Sequence, residues 1–134
     1  MGALPEACPC GQSDQRGRPL AFDACCGRYL DQGLAAPDAE RLMRSRYSAF
    51  VRERADHLLA TWHPSTRPSD LTLEAGVKWL GLSVKSHRQI DTDHAEVEFV
   101  ARSRIGGRGQ RLEERSRFVR EDGRWYYVDG EVKA

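Results

Sequence analysis

The sequence predicts an α+β protein, with helices packed on an antiparallel sheet and a small cysteine-rich segment in front of them. Three observations predict it. Apolar residues recur at helical spacing between residues 38 and 61, they alternate with polar residues from residue 79 onward, and all four cysteines fall in the first 26 of 134 residues. With 21 basic and 20 acidic residues the net charge is +1, which excludes a chain-wide field for nucleic acid or membrane. Apolar runs such as Leu58-Leu59-Ala60 are far too short to span a bilayer. Residues 1–6 carry neither the basic nor the apolar region of a secretory signal, so a reducing cytoplasm is expected.

The cysteines come as Cys8-Pro9-Cys10 and, fourteen residues later, Cys25-Cys26. A disulfide between adjacent cysteines is strained, and one across Cys8 and Cys10 is little better. Clustered thiols in a reducing compartment read first as a metal site. Four thiolates can surround Zn²⁺ tetrahedrally and leave no open position, which makes the metal structural. A segment of this size has no core of its own, and metal is a source of order for it. Gly11 can supply a positive φ for backbone that wraps an ion. Arg16, Arg18 and Arg28 lie near enough in sequence to offset the −2 charge of such a centre. Two other readings stand beside it: Cys25 or Cys26 as small buried hydrophobes, or two disulfides formed in air.

Residues 29–37 are small and polar and read as a linker. Asp38 caps the next helix, with Arg41 where a full capping box would place Glu or Gln. Leu42, Met43, Tyr47, Phe50 and Val51 mark its apolar stripe, and the helix is expected to run to residue 54. A shorter helix covers residues 55–61, and Pro64 and Pro68 end it. Ser69 or Asp70 is expected to cap a further helical turn over residues 73–77. Strand character follows over residues 79–90, with Leu80, Leu82 and Val84 on one side. Asp91-Thr92-Asp93 makes a turn, and residues 95–105 alternate with Val97 and Phe99 opposite Glu96 and Glu98. Gly106-Gly107-Arg108-Gly109 is a hairpin loop, residues 110–121 the next strand, Asp122-Gly123 a type I′ turn, and residues 124–129 the last strand.

Cys8-Pro9-Cys10-Gly11 with Cys25-Cys26-Gly27 resembles the SEC-C motif, a zinc knuckle found at the end of the SecA translocase and in many small bacterial proteins. Leu42-Met43-Arg44-Ser45-Arg46-Tyr47-Ser48-Ala49-Phe50, Thr61-Trp62-His63-Pro64, Trp79-Leu80-Gly81-Leu82, Glu114-Arg115-Ser116-Arg117-Phe118 and Trp125-Tyr126-Tyr127-Val128-Asp129-Gly130 resemble the YchJ-like family of uncharacterised bacterial proteins. The resemblance implies a zinc knuckle over residues 1–32 and, over residues 33–134, a nuclear transport factor 2-like cone, in which helices pack on a curved antiparallel sheet. It also implies zinc as a structural cofactor on Cys8, Cys10, Cys25 and Cys26. The loop between the cysteine pairs is longer than usual for the motif, with Gln15-Arg16-Gly17-Arg18-Pro19 as the insert.

Outside the cysteines Glu114 is the most informative residue. In its strand Leu112, Glu114, Ser116 and Phe118 share the inward phase, so a carboxylate and a hydroxyl fall among core positions. A buried carboxylate must be paired, protonated or in a pocket. The plain reading pairs it with Arg44 or Arg46; a bulge after Glu113 would instead return it to solvent. His63, at the end of the second helix, either bonds the last carbonyls or works as acid or base at the mouth of the cone, with Tyr47 or Glu114. Glu114, His63, Tyr47, Arg46 and Ser116 are therefore the pocket candidates. His57, His87 and His94 read as surface residues. Trp79, Trp125, Tyr126 and Tyr127 read as core. Arg102, Arg104, Arg115 and Arg117 could form a stripe for RNA phosphates, or pair across strands with Glu96, Glu98 and Glu113.

The chain has no phosphate-binding loop and no G-x-S-x-G elbow, and its sequence marks out no nucleophile. The sequence reads as a cytosolic zinc-binding adaptor, with a protein or RNA partner, before it reads as a small-molecule binder or enzyme using the cone pocket. A membrane partner is not expected. Folds of this kind often pair two copies through the open sheet face, so a homodimer is among the expectations.

Overall fold

The structure, a computed structural model, describes residues 6–133; the reading of residues 1–5 as non-secretory lies outside the described residues. The cysteine segment opens with two short antiparallel pairings, Ala7 with Ala21 and Ser13 with Pro19. A 3-10 turn over Phe22–Ala24 leads into α1, Gly27–Leu30. This helix occupies the start of the expected linker, and Tyr29 and Leu30 are buried in it.

Helix α2 spans Ala39–Val51. Asp38 starts it by accepting the backbone N–H of Arg41 at 2.8 Å, and a second Asp38 oxygen pairs with the Arg41 guanidinium at 2.8 Å. Arg41 thus pairs with the cap carboxylate itself, where a Glu would have accepted the backbone N–H of Asp38. The helix ends earlier than expected because Glu53 takes a positive φ of 57°. Helix α3, Ala55–Ala60, follows at once. Residues 61–76 then form a loop tied to the last strand, with His63 N–H donating to Tyr127 O and Tyr127 N–H donating to Thr61 O, each at 2.8 Å. The helical turn expected over residues 73–77 is absent; Leu71 and Leu73 pack against the core from an irregular loop.

Four strands make one antiparallel meander, β1 Val77–Asp91, β2 His94–Ile105, β3 Arg108–Glu121 and β4 Arg124–Val132, in that spatial order. Gly106 and Gly107, both at positive φ, close the β2–β3 hairpin, and Asp122 and Gly123 at 52° and 78° close β3–β4. Register shifts at Trp79/Gly81, Val84/Ser86, Gln89/Asp91 and Arg117/Phe118 bend the sheet, as bulges do. The first shift corrects the expected phase of β1: Leu80 turns outward, 46% exposed, while Trp79, Leu82 and Val84 pack on the core. Helix α2 lies across the concave face, where Val97, Phe99, Ala101, Ser116 and Phe118 are buried. No helix among the described residues is long and apolar enough to cross a membrane.

Candidate metal centre and adjoining cavity

Backbone geometry brings the thiols together. Gly11, at φ 78°, turns the chain back after Cys10, and its N–H donates to Cys8 O. Cys25 and Cys26 arrive at the start of α1 because Gly27 lets the chain pass against Phe22. The four sulfurs all lie within 4.8 Å of one another, all four residues are buried, and none is in a disulfide. Cys10 Sγ and Cys25 Sγ are 3.6 Å apart. A tetrahedral Zn²⁺ with ~2.3 Å bonds needs sulfurs about 3.8 Å apart, so the set fits this ion. Hydrogen bonds from neighbouring thiols lower the pKa of Cys8, and lower that of Cys10 to about 7. Cys25 and Cys26 are pushed up, foremost by Cys10. A bound cation would let all four ionise together.

The centre is docked on α2. Cys8 Sγ lies 3.6 Å from Ser48 Oγ, and Arg44 donates from Nη1 to Cys10 O at 3.1 Å while its Nε pairs with Glu40 at 3.0 Å. Arg28 donates to Cys25 O at 2.9 Å. Two of the three expected counter-charges are elsewhere: Arg18 pairs with Asp14 at 3.7 Å, and the exposed Arg16 and Arg18 backbones close a loop on that same carboxylate. Arg44, on the next element, supplies the charge instead.

The other face of α2 lines a cavity of about 280 Å³ between helix and sheet, and Glu114, Tyr47, Arg46 and Ser116 all border it. Its walls are aromatic: Trp79 meets Tyr47 edge-on at 5.5 Å, and Trp62 meets Tyr127 at 5.2 Å. Glu114 is half-buried, accepts the Ser116 hydroxyl and rests against Gly130 of β4. The expected ion pair to Arg44 or Arg46 is not formed; Arg44 serves Glu40 and Cys10. Burial raises the pKa of Tyr47, and raises that of Tyr127 to about 12. A cleft of about 440 Å³ lies alongside under residues 71–77, bordered by Glu53 and Glu74 but by no cation.

His63 is not at the cavity. It turns to Glu121, with Nε2 2.7 Å from the carboxylate and Nδ1 2.7 Å from Ser65 Oγ. The register explains this: Trp62 faces inward on Tyr127, so the next residue faces outward.

Residues 38–130 match the model of the middle, nuclear transport factor 2-like domain of YchJ. The chain is 65% identical to a UPF0225 protein of Polaromonas sp. (strain JS666), over 97% of this chain and 96% of that one. It is 58% identical to a UPF0225 protein of Bordetella parapertussis, over 96% and 95%. The chain belongs to the YchJ-like UPF0225 family. Among solved structures it is similar to a SEC-C motif containing protein from Rhodopseudomonas palustris (TM-score 0.80, 32% identity, 96% of this chain and 100% of that one). It is also similar to a SEC-C motif containing protein from Psychrobacter arcticus (TM-score 0.75, 30% identity, 96% and 84%).

Two features of this YchJ-like domain escaped the sequence reading. His57 is not a surface residue: its Nε2 lies 2.9 Å from Ser45 Oγ, and burial lowers its pKa to about 4. The available signal was the run of small residues Ser45, Ser48 and Ala49 on one helix, which admits close neighbours. The arginine stripe does share the outer sheet face, but Arg115 pairs with Glu131 at 2.8 Å and Arg117 with Asp129 at 2.6 Å. Glu96, expected outward, is buried under Arg88 and Arg115.

Proposed function

We propose that the chain is a zinc-ordered binding module: a structural zinc on Cys8, Cys10, Cys25 and Cys26 fixes the knuckle to α2, and the cavity on the other side of α2 takes the ligand. The carrying observation is the cluster of four buried sulfurs within 4.8 Å. Four thiolates suit a tetrahedral soft-ligand site and leave no position for a substrate. When bound, the ion supplies order and no reactive water. The free thiols also fit work in the cytoplasm. An adaptor for a protein partner is the second reading, supported by the exposed knuckle loop at residues 13–19.

Elemental analysis of freshly reduced protein should find one zinc per chain, and Cys8→Ser should lose most of it while the sheet stays folded. Metal-free protein whose knuckle amides remain protected from exchange would sink the reading. A protein partner captured by wild type and lost in Cys8→Ser would favour the adaptor.

A further inference from the structure

Arg46 carries a charge that its surroundings do not neutralise. It is 7% exposed, and its hydrogen bonds run through Nη1, to Leu58 O at 2.8 Å and Thr61 Oγ1 at 2.7 Å. These contacts close the end of α3 and leave the Nε and Nη2 edge without a protein acceptor among the described residues. The guanidinium carbon lies 4.5 Å from the Tyr127 ring centre and 5.2 Å from that of Trp62. No carboxylate among the described residues comes within ion-pair distance; Glu114 acts on it only through space. Burial lowers its pKa to about 10, so it stays protonated at neutral pH. Buried guanidinium groups are ordinarily matched by a carboxylate or phosphate, whose planar fork they fit. Here the match is missing, and the group borders a cavity.

We propose that the cavity binds a small apolar ligand with one anionic group, and that Arg46 holds that group. The inference rests on the reading of the cavity as the working site. Size limits the ligand: about 280 Å³ is at the small end of ligand pockets, which run from ~300 Å³ upward. Its body meets the aromatic walls. Glu114 borders the same cavity, but its carboxylate is turned to Ser116 Oγ and Gly130 and forms no ion pair with Arg46. It can accept a hydrogen bond from a donor on the ligand.

The test uses two fluorescent probes of one carbon skeleton: 1-anilinonaphthalene-8-sulfonate, which is anionic, and N-phenyl-1-naphthylamine, which lacks the sulfonate. Both are titrated into folded, zinc-loaded protein, with the indole N–H signals followed by NMR. The sulfonate should bind roughly tenfold or more tightly than the neutral probe, as a charge-assisted hydrogen bond requires. It should shift the Trp62 and Trp79 indoles and spare Trp125, which is outside the cavity. Arg46→Met should bring the two affinities within about threefold of each other, and Arg46→Lys should keep part of the preference. Equal affinities in wild type overturn the role of Arg46, whether or not the variants fold, and leave the cavity reading intact. So does a preference that survives in folded Arg46→Met. If neither probe moves Trp62 or Trp79, the cavity reading itself fails, and this inference with it.

Discussion

A Cβ on Gly27 would lie 2.8 Å from the carbonyl oxygen of Phe22 and 3.0 Å from its ring, whereas one on Gly130 would lie 2.3 Å from the carboxylate of Glu114. The shorter distance is the cheaper one to relieve. The Glu114 side chain can swing away, but the Phe22 backbone is fixed between the cysteine pairs. Gly27→Ala should therefore cost about 1–3 kcal/mol and weaken zinc binding, while Gly130→Ala should move Glu114 and change stability by less than about 1 kcal/mol. Urea unfolding of the zinc-loaded variants measures both. His57 gives a second residue-scale test. Burial, reinforced by the charge of Arg46, holds its pKa at about 4 in the fold, against ~6.5 in the unfolded chain. Between these values the unfolded chain binds more protons. The contribution of His57 is thus complete above about pH 6.5 and is lost as pH falls toward 4, by about 3 kcal/mol at the lower limit. Wild type should lose more stability than His57→Gln between about pH 7 and pH 4.5; equal losses would contradict the assignment.

At the scale of elements, the first strand shows why local pattern was not enough. Leu80, Leu82 and Val84 alternate correctly for one face, but a bulge beside Gly81, whose φ is 150°, puts Leu80 in solvent and Trp79 inside. Alternation carries no mark of an inserted residue, so this phase was invisible in the sequence. Leu80→Lys should alter stability by no more than about 0.5 kcal/mol, and Trp79→Ala should cost about 3 kcal/mol, with thermal melts separating them. Elements set by local chemistry were legible: the Asp38 cap, the Asp122-Gly123 turn and the stripe of Leu42, Met43 and Tyr47. The start of α1 and the irregular loop before Val77 were not, because tertiary packing of Tyr29, Leu71 and Leu73 decides them.

For the molecule as a whole, the α+β layout and the four metal-binding candidates could be read from the chain, since each rests on spacing. What joins them could not. That Cys8 meets Ser48 and that Arg46 lacks a carboxylate are facts of assembly between distant segments. Removing zinc with a chelator should release amide protection in residues 7–30 and in α2 before it reaches β2 and β3, an order that hydrogen exchange can follow. Helix α2 carries sulfur contacts on one flank and the aromatic chamber on the other. The two sites therefore share a wall, and thermodynamic reciprocity applies to them. On the proposed reading, a ligand that fills the chamber and steadies that wall also raises the affinity for the ion, and loss of zinc loosens the hold on the ligand by the same factor.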